Sequence, residues 1–164
     1  MVKARGEGAE LPNELLVAAW MNQPDHQVAP TTTLEDAFAV MQRENVRHLL
    51  VVDGGDLVGI VSDRDLRRQE TPRRKSSKEP WTLHDLYLFG DELAVRDVMT
   101  EDVVTVSPDD PTSTAARVMV ENKINCLPVV LGGDLVGILT SSDLLAALVY
   151  SSDPDEREAR ELED

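Results

Sequence analysis

The sequence predicts an α+β fold in which two β-α-β-β-α repeats pack as a pseudo-twofold module. Three observations predict it. The 164-residue chain matches itself without a gap when shifted by 78 residues, so that Leu15–Leu66 falls on Leu93–Leu144. Each copy sets one segment of helical period among short apolar runs punctuated by Gly. A copy of roughly 50 residues also buries too little surface to be comfortable alone, so the two are expected to pack their apolar sheet faces together.

The elements of one copy follow in order. "PNELLVAAWM" reads as a short apolar helix, and "QVAP" as a brief strand stopped by Pro30. Thr32 or Thr33 caps the next helix, with Leu34, Ala37, Phe38 and Met41 on one face at i, i+3, i+4 and i+7. "HLLVV" is a buried strand, "DGG" a hairpin turn that exploits glycine's tolerance of positive φ, and "DLVGIVS" the returning strand. From Ser62 onward a second helix begins. The second copy repeats this order, and Gly54–Ile60 equals Gly132–Ile138 at every position. Residues 1–12 are expected to form a flexible N-terminus, 13–70 the first repeat and 93–150 the second. Residues 71–92 form a linker insertion whose short helix is capped at Thr82 and carries Leu83, Leu86 and Tyr87 at helical spacing; 151–164 form an acidic tail.

Composition excludes several function classes. Apolar residues make up 41% of the chain, enough for a core, but aromatics only 4%, so the core is aliphatic with Met filling it. Met21, Met41, Met99 and Met119 form repeat-matched pairs, as core residues would, and Trp20 and Trp81 are read as packing residues. The net charge of −15 repels phosphate backbones, so nucleic-acid binding is not expected. That charge is uneven: Asp153–Asp164 carries a net −5, and Arg67–Lys78 a net +5, both read as solvated chain. No apolar run approaches the roughly 20 residues of a membrane span, and residues 1–16 lack the apolar segment of a signal peptide, so a soluble cytoplasmic protein is expected. Cys126 is the only cysteine and reads as a small core residue; His26, His48 and His84 have no metal-site spacing. No Gly-rich phosphate loop and no nucleophile–base pair occurs, so no catalytic residue is assigned and no enzyme is expected.

The chemistry concentrates in "GDLVGIVSDRDL" (55–66) and "GDLVGILTSSDL" (133–144). Gly59 and Gly137 leave room for another group to approach the strand. Ser62 and Thr140 stand where strand becomes helix, with exposed N–H groups that suit a phosphate. Asp65 and Asp143 lie three residues on, where a carboxylate can accept both hydroxyls of a ribose. The same residues also make a capping box, which needs no ligand. The residues alone leave both readings open.

The chain resembles a tandem pair of cystathionine-β-synthase (CBS) domains, the Bateman module, through "VRHLLVVDGGDLVGIVSDRDL", "VRDVMTEDVVTVSPDD" and "INCLPVVLGGDLVGILTSSDL". The resemblance covers about Leu15 to Tyr150. It implies a regulatory, ligand-sensing module without catalysis and without a required cofactor. The ligands it implies are adenosine compounds such as AMP, ADP, ATP or S-adenosylmethionine, bound in clefts between the repeats. Ser62 with Asp65, and Thr140 with Asp143, would hold ribose and phosphate. Arg47 and His48, where the second strand begins, and Arg64 within the first motif, would reach phosphates; the second copy has Asn125, Cys126 and Ser142 there, so the clefts are expected to be chemically unequal. The resemblance further implies a flat homodimer, fitted to spare apolar faces on the short helices at Leu15–Met21 and Val95–Met99. The bound ligand would be reported to an effector protein by conformational change. The alternative is a structural module whose Ser/Thr-x-x-Asp motifs are only helix caps.

Overall fold

A computed structural model describes residues 15–67 and 93–152. The flexible N-terminus, the linker helix at Thr82 with Trp81, and all of the acidic tail but its first two residues lie outside the described residues. The first repeat contains β1 (Gln27–Val28), α1 (Leu34–Glu44), β2 (His48–Asp53), β3 (Asp56–Ser62) and α2 (Asp63–Arg67). The second contains α3 (Thr112–Asn122), β4 (Cys126–Leu131), β5 (Asp134–Thr140) and α4 (Ser141–Ser152). A 3-10 turn opens each repeat, at Val17–Ala19 and at Val95–Asp97. These turns replace the apolar helix expected at "PNELLVAAWM" within the described residues.

Local chemistry places most boundaries where the sequence predicts them. Thr33 caps α1 by accepting a hydrogen bond from the Asp36 N–H at 3.1 Å. Leu34, Ala37, Phe38 and Met41 are buried along one face of that helix. Pro111 precedes α3 without a side-chain cap, so the cap is not duplicated. The β2–β3 and β4–β5 hairpins turn through Gly54–Gly55 and Gly132–Gly133, all at positive φ. Strands β1 and β2 pair in parallel and β2 and β3 antiparallel, with a register shift between Val51 and Val52. The β4–β5 ladder shifts at the matching point, between Val129 and Val130. The strand that would match β1 shrinks to a single parallel bridge, Val106 to Val129.

The packing departs from the expected one in a specific way: the two repeats exchange their leading segments. Residues Leu93, Val95, Val98 and Met99 pack into the core of the first repeat, with Leu34, Phe38, Leu49 and Val61. Val17, Trp20 and Met21 pack into the core of the second, with Val106, Met119, Leu127 and Leu139. Backbone hydrogen bonds hold both crossings. Val95 N–H donates to Thr32 O at 2.8 Å, and Val17 N–H to Asp110 O at 2.9 Å. Thr100 exchanges hydrogen bonds with Ile60 at the edge of β3, and Asn22 does so with Ile138 at the edge of β5. The apolar faces expected to be spare for dimerisation are therefore not spare, because Val17 and Val95 are fully buried within the chain itself. Exposed apolar side chains lie instead on α4, at Leu145, Leu148 and Val149, and at Val120 of α3.

Candidate functional site

The two hydroxyl-to-acid motifs fold in the same way. Ser62 ends β3, and Asp65 turns back toward it from the first turn of α2. Asp65 Oδ2 accepts hydrogen bonds from the Ser62 N–H at 2.8 Å and from the Ser62 hydroxyl at 2.6 Å. The Asp65 N–H in turn donates to Ser62 Oγ at 3.2 Å. Thr140 and Asp143 repeat this pattern, at 2.7, 2.6 and 3.4 Å. Both motifs are thus complete capping boxes. The carboxylates differ at their second oxygen. Asp143 Oδ1 accepts from the Asn22 side-chain amide at 3.0 Å, whereas among the described residues no hydrogen bond reaches Asp65 Oδ1.

Asp65 borders an open cavity of about 540 Å³ between the repeats. Arg47, His48, Ser62 and Arg64 line it with Asp65, so five of the predicted residues share one space. The second repeat contributes Lys123, Ile124, Asn125 and Cys126, and the crossing segment contributes Thr100, Asp102, Val103 and Val104. Thr140, Asp143, Gly59 and Gly137 are not part of its wall. The two glycines do admit a close neighbour, but it is a methionine of the other repeat. A Cβ on Gly59 would lie 2.6 Å from Met99 Sδ, and one on Gly137 would lie 2.8 Å from Met21 Sδ.

Charge is distributed to suit an anion beside a polar neutral group. Arg67 is tied to Asp63 at 3.5 Å, whereas Arg47, Arg64 and Lys123 have no ion pair among the described residues. His48 titrates below the ordinary histidine value because burial disfavours its cation; a hydrogen bond to Asn125 and the carboxylates of Asp63 and Asp65 oppose that only partly. Burial, with the Asp143 charge added, pushes the Cys126 thiol up to about 12, so it meets the cavity as an unreactive apolar group. Trp20 stacks edge-on against Tyr150, 5.7 Å between ring centroids, away from the cavity wall. Among the described residues no group of His, Cys, Asp or Glu is placed to hold a metal.

Sequence reasoning did not single out Asn22, Thr100, Asp102 or Lys123. A signal for the first two existed: Asn22 and Thr100 coincide under the 78-residue shift, next to the matched Met21 and Met99. A matched position whose residue type changes beside a duplicated motif marks where the two halves diverge.

The architecture is that of a duplicated α+β pair which swaps its leading segments and leaves a ligand-sized cleft at a strand–helix junction. The chain belongs to the CBS domain family, whose model matches residues 17–70 and 95–150, and it carries that domain as a tandem pair. It is 32% identical over 144 residues to a CBS domain-containing protein of Dictyostelium discoideum, covering 86% of this chain and 96% of that one. It is also 32% identical over 118 residues to an inosine-5'-monophosphate dehydrogenase of Korarchaeum cryptofilum, but spans only 21% of that enzyme's length. Among solved structures, the CBS-pair protein CBSX2 of Arabidopsis thaliana superposes with a TM-score of 0.69 at 33% identity, over 84% of this chain and 97% of that one. CBSX2 is also known in complex with AMP. A further CBS domain pair, bound to 5'-methylthioadenosine and S-adenosyl-L-methionine, superposes with a TM-score of 0.65 at 25% identity, over 84% and 98% of the two chains. Among the described residues no helix is long and apolar enough to cross a membrane.

Proposed function

We propose that this chain is a regulatory sensor of an adenosine nucleotide, bound between the repeats at the Ser62–Asp65 junction. One observation carries the reading: an open cavity whose wall Asp65 shares with three cations, Arg47, Arg64 and Lys123, that lack an ion pair among the described residues. In this reading Asp65 Oδ1 accepts the ribose diol, while Ser62 and the cations meet the phosphates. His48, neutral at pH 7 because of burial, contributes a hydrogen bond rather than charge. Ile60, Val103 and Ile124 supply apolar walls against a base. AMP, ADP, ATP and S-adenosylmethionine are the candidate ligands. Complexes of AMP with CBSX2, and of S-adenosyl-L-methionine with another CBS pair, support that choice.

The ligand signals only if it binds one arrangement of the repeats better than another. The crossing segment that lines the cleft at Thr100 and 102–104 is rooted by Val95, Val98 and Met99 in the core of the first repeat and runs on into the second, so an altered cleft is felt in both repeats. We assign the readout to an effector protein, and the spare apolar face of α4 to a second copy of the chain. Leu145, Leu148 and Val149 stand at i, i+3 and i+4 there and are each more than half exposed.

A second reading is favoured by the capping boxes, which close fully without a ligand. On that reading the module is structural and Asp65 is only a cap. Thermal unfolding with AMP, ADP, ATP and S-adenosylmethionine separates the two. A ligand at a hundred times its Kd adds about 2.7 kcal/mol to stability, and no shift with any of the four favours the structural module.

A further inference from the structure

We propose that Asn22 is a latch that makes the two ribose grips unequal, holding the Asp143 grip shut while the Asp65 grip stays open. This rests on the ribose-grip reading above and names which half of the pair takes the diol. Asn22 and Thr100 occupy equivalent places: each follows the exchanged methionine, and each pairs its backbone with the edge of a returning strand, at Ile138 and at Ile60. Only the side chain differs. The Asn22 amide is long enough to donate to Asp143 Oδ1 at 3.0 Å. Thr100 is shorter, makes no hydrogen bond to Asp65, and instead forms part of the open cavity wall. Asp143 Oδ2 is already taken by Thr140, so Asn22 occupies the oxygen that a ribose would need. A ligand entering that grip must first displace an amide that is covalently tethered and already in place.

The latch is a chain-internal competitor, so its removal should be felt at one grip alone. AMP is titrated into the 15N-labelled full chain, and the backbone amides of Ser62 and Asp65 are read separately from those of Thr140 and Asp143. In the unaltered protein the Ser62 and Asp65 amides saturate at lower AMP. In Asn22→Ala the apparent Kd reported by Thr140 and Asp143 falls about tenfold, the weight of one hydrogen bond to a charged group, while that reported by Ser62 and Asp65 stays fixed. Thr100→Asn installs the latch on the other side and weakens the Ser62 and Asp65 response about tenfold. Both positions are exposed, so neither change threatens folding. If AMP binds but Asn22→Ala leaves the Thr140 and Asp143 response where it was, the latch is wrong and the sensor reading stands. If AMP moves neither set of amides in any of the three proteins, the sensor reading falls and the latch with it.

Discussion

Replacing Gly59 by Ala places a methyl group where the exchanged segment crosses the first repeat. Its Cβ would lie 2.6 Å from Met99 Sδ, 3.1 Å from Met99 Cγ and 3.2 Å from Thr100 O. The sulfur sits on a flexible side chain and can swing away. The carbonyl cannot move as easily, because it accepts from the Ile60 N–H at 3.1 Å. Overpacking of this kind costs about 1–3 kcal/mol, and the stiffer unfolded chain of Ala returns about 0.4–1 kcal/mol. The net expectation is a loss of about 1–2 kcal/mol. Equilibrium urea unfolding reads it, and a thermal scan shows about 2–4 °C per kcal/mol for a chain of this size. The Met99→Ala background supplies the control. With the thioether gone, Gly59→Ala should cost at least about 1 kcal/mol less than in the unaltered protein, the coupling expected of touching side chains. At Gly137 the nearest backbone atom is closer, Asn22 O at 3.0 Å, so shortening Met21 should rescue Gly137→Ala less. Additive losses for Gly59→Ala and Met99→Ala would mean that the two residues do not touch, which refutes the exchange of segments.

Asp65→Ala should lower nucleotide affinity about ten- to a hundredfold by calorimetry, the loss of about 1.5–3 kcal/mol of hydrogen bonding to a charged group. It should also lower folding stability by about 0.5–2 kcal/mol as the cap goes; affinity that survives while stability drops would assign Asp65 to the helix alone. Arg47→Ala should weaken AMP but not adenosine, and equal loss for both in a calorimetric comparison would remove Arg47 from phosphate binding. His48 has its folded-state pKa below its ordinary 6.5, so in acid the unfolded chain takes up that proton first. Its contribution is therefore intact above pH 6.5 and is lost as the pH falls through the lowered value; His48→Gln should flatten that part of a stability–pH curve, and an unchanged slope would contradict the burial argument. Cys126, held at about 12, should resist iodoacetamide at pH 8 until the chain is unfolded in urea; rapid alkylation of the folded protein would show the thiol to be far less buried.

Much of the fold was legible because it is written locally. The cap at Thr33, the glycines at 54, 55, 132 and 133, and the alternation within β3 and β5 each depend on neighbours within a few residues. The cluster of Arg47, His48, Ser62, Arg64 and Asp65 was legible for a similar reason, since β2 and β3 are hairpin partners and His48 stands opposite Ser62 in their register. The expected dimer faces failed because burial is a tertiary quantity. Val17 and Val95 look like spare apolar surface until the opposite repeat is known to cover them.

The sequence by itself determined that this protein is a duplicated α+β pair, where its hairpins turn and where the Thr33-capped helix begins. Spacing and turn chemistry act over a few residues and are the same in any context. Only the tertiary structure decided which copy each leading segment joins. Duplication hides that choice: Met21 and Met99, or Val17 and Val95, fill either core equally well by type and size. The same crossing decided the difference between the clefts, because whether the Asn22 amide reaches a carboxylate 121 residues further along depends on how the chain is threaded.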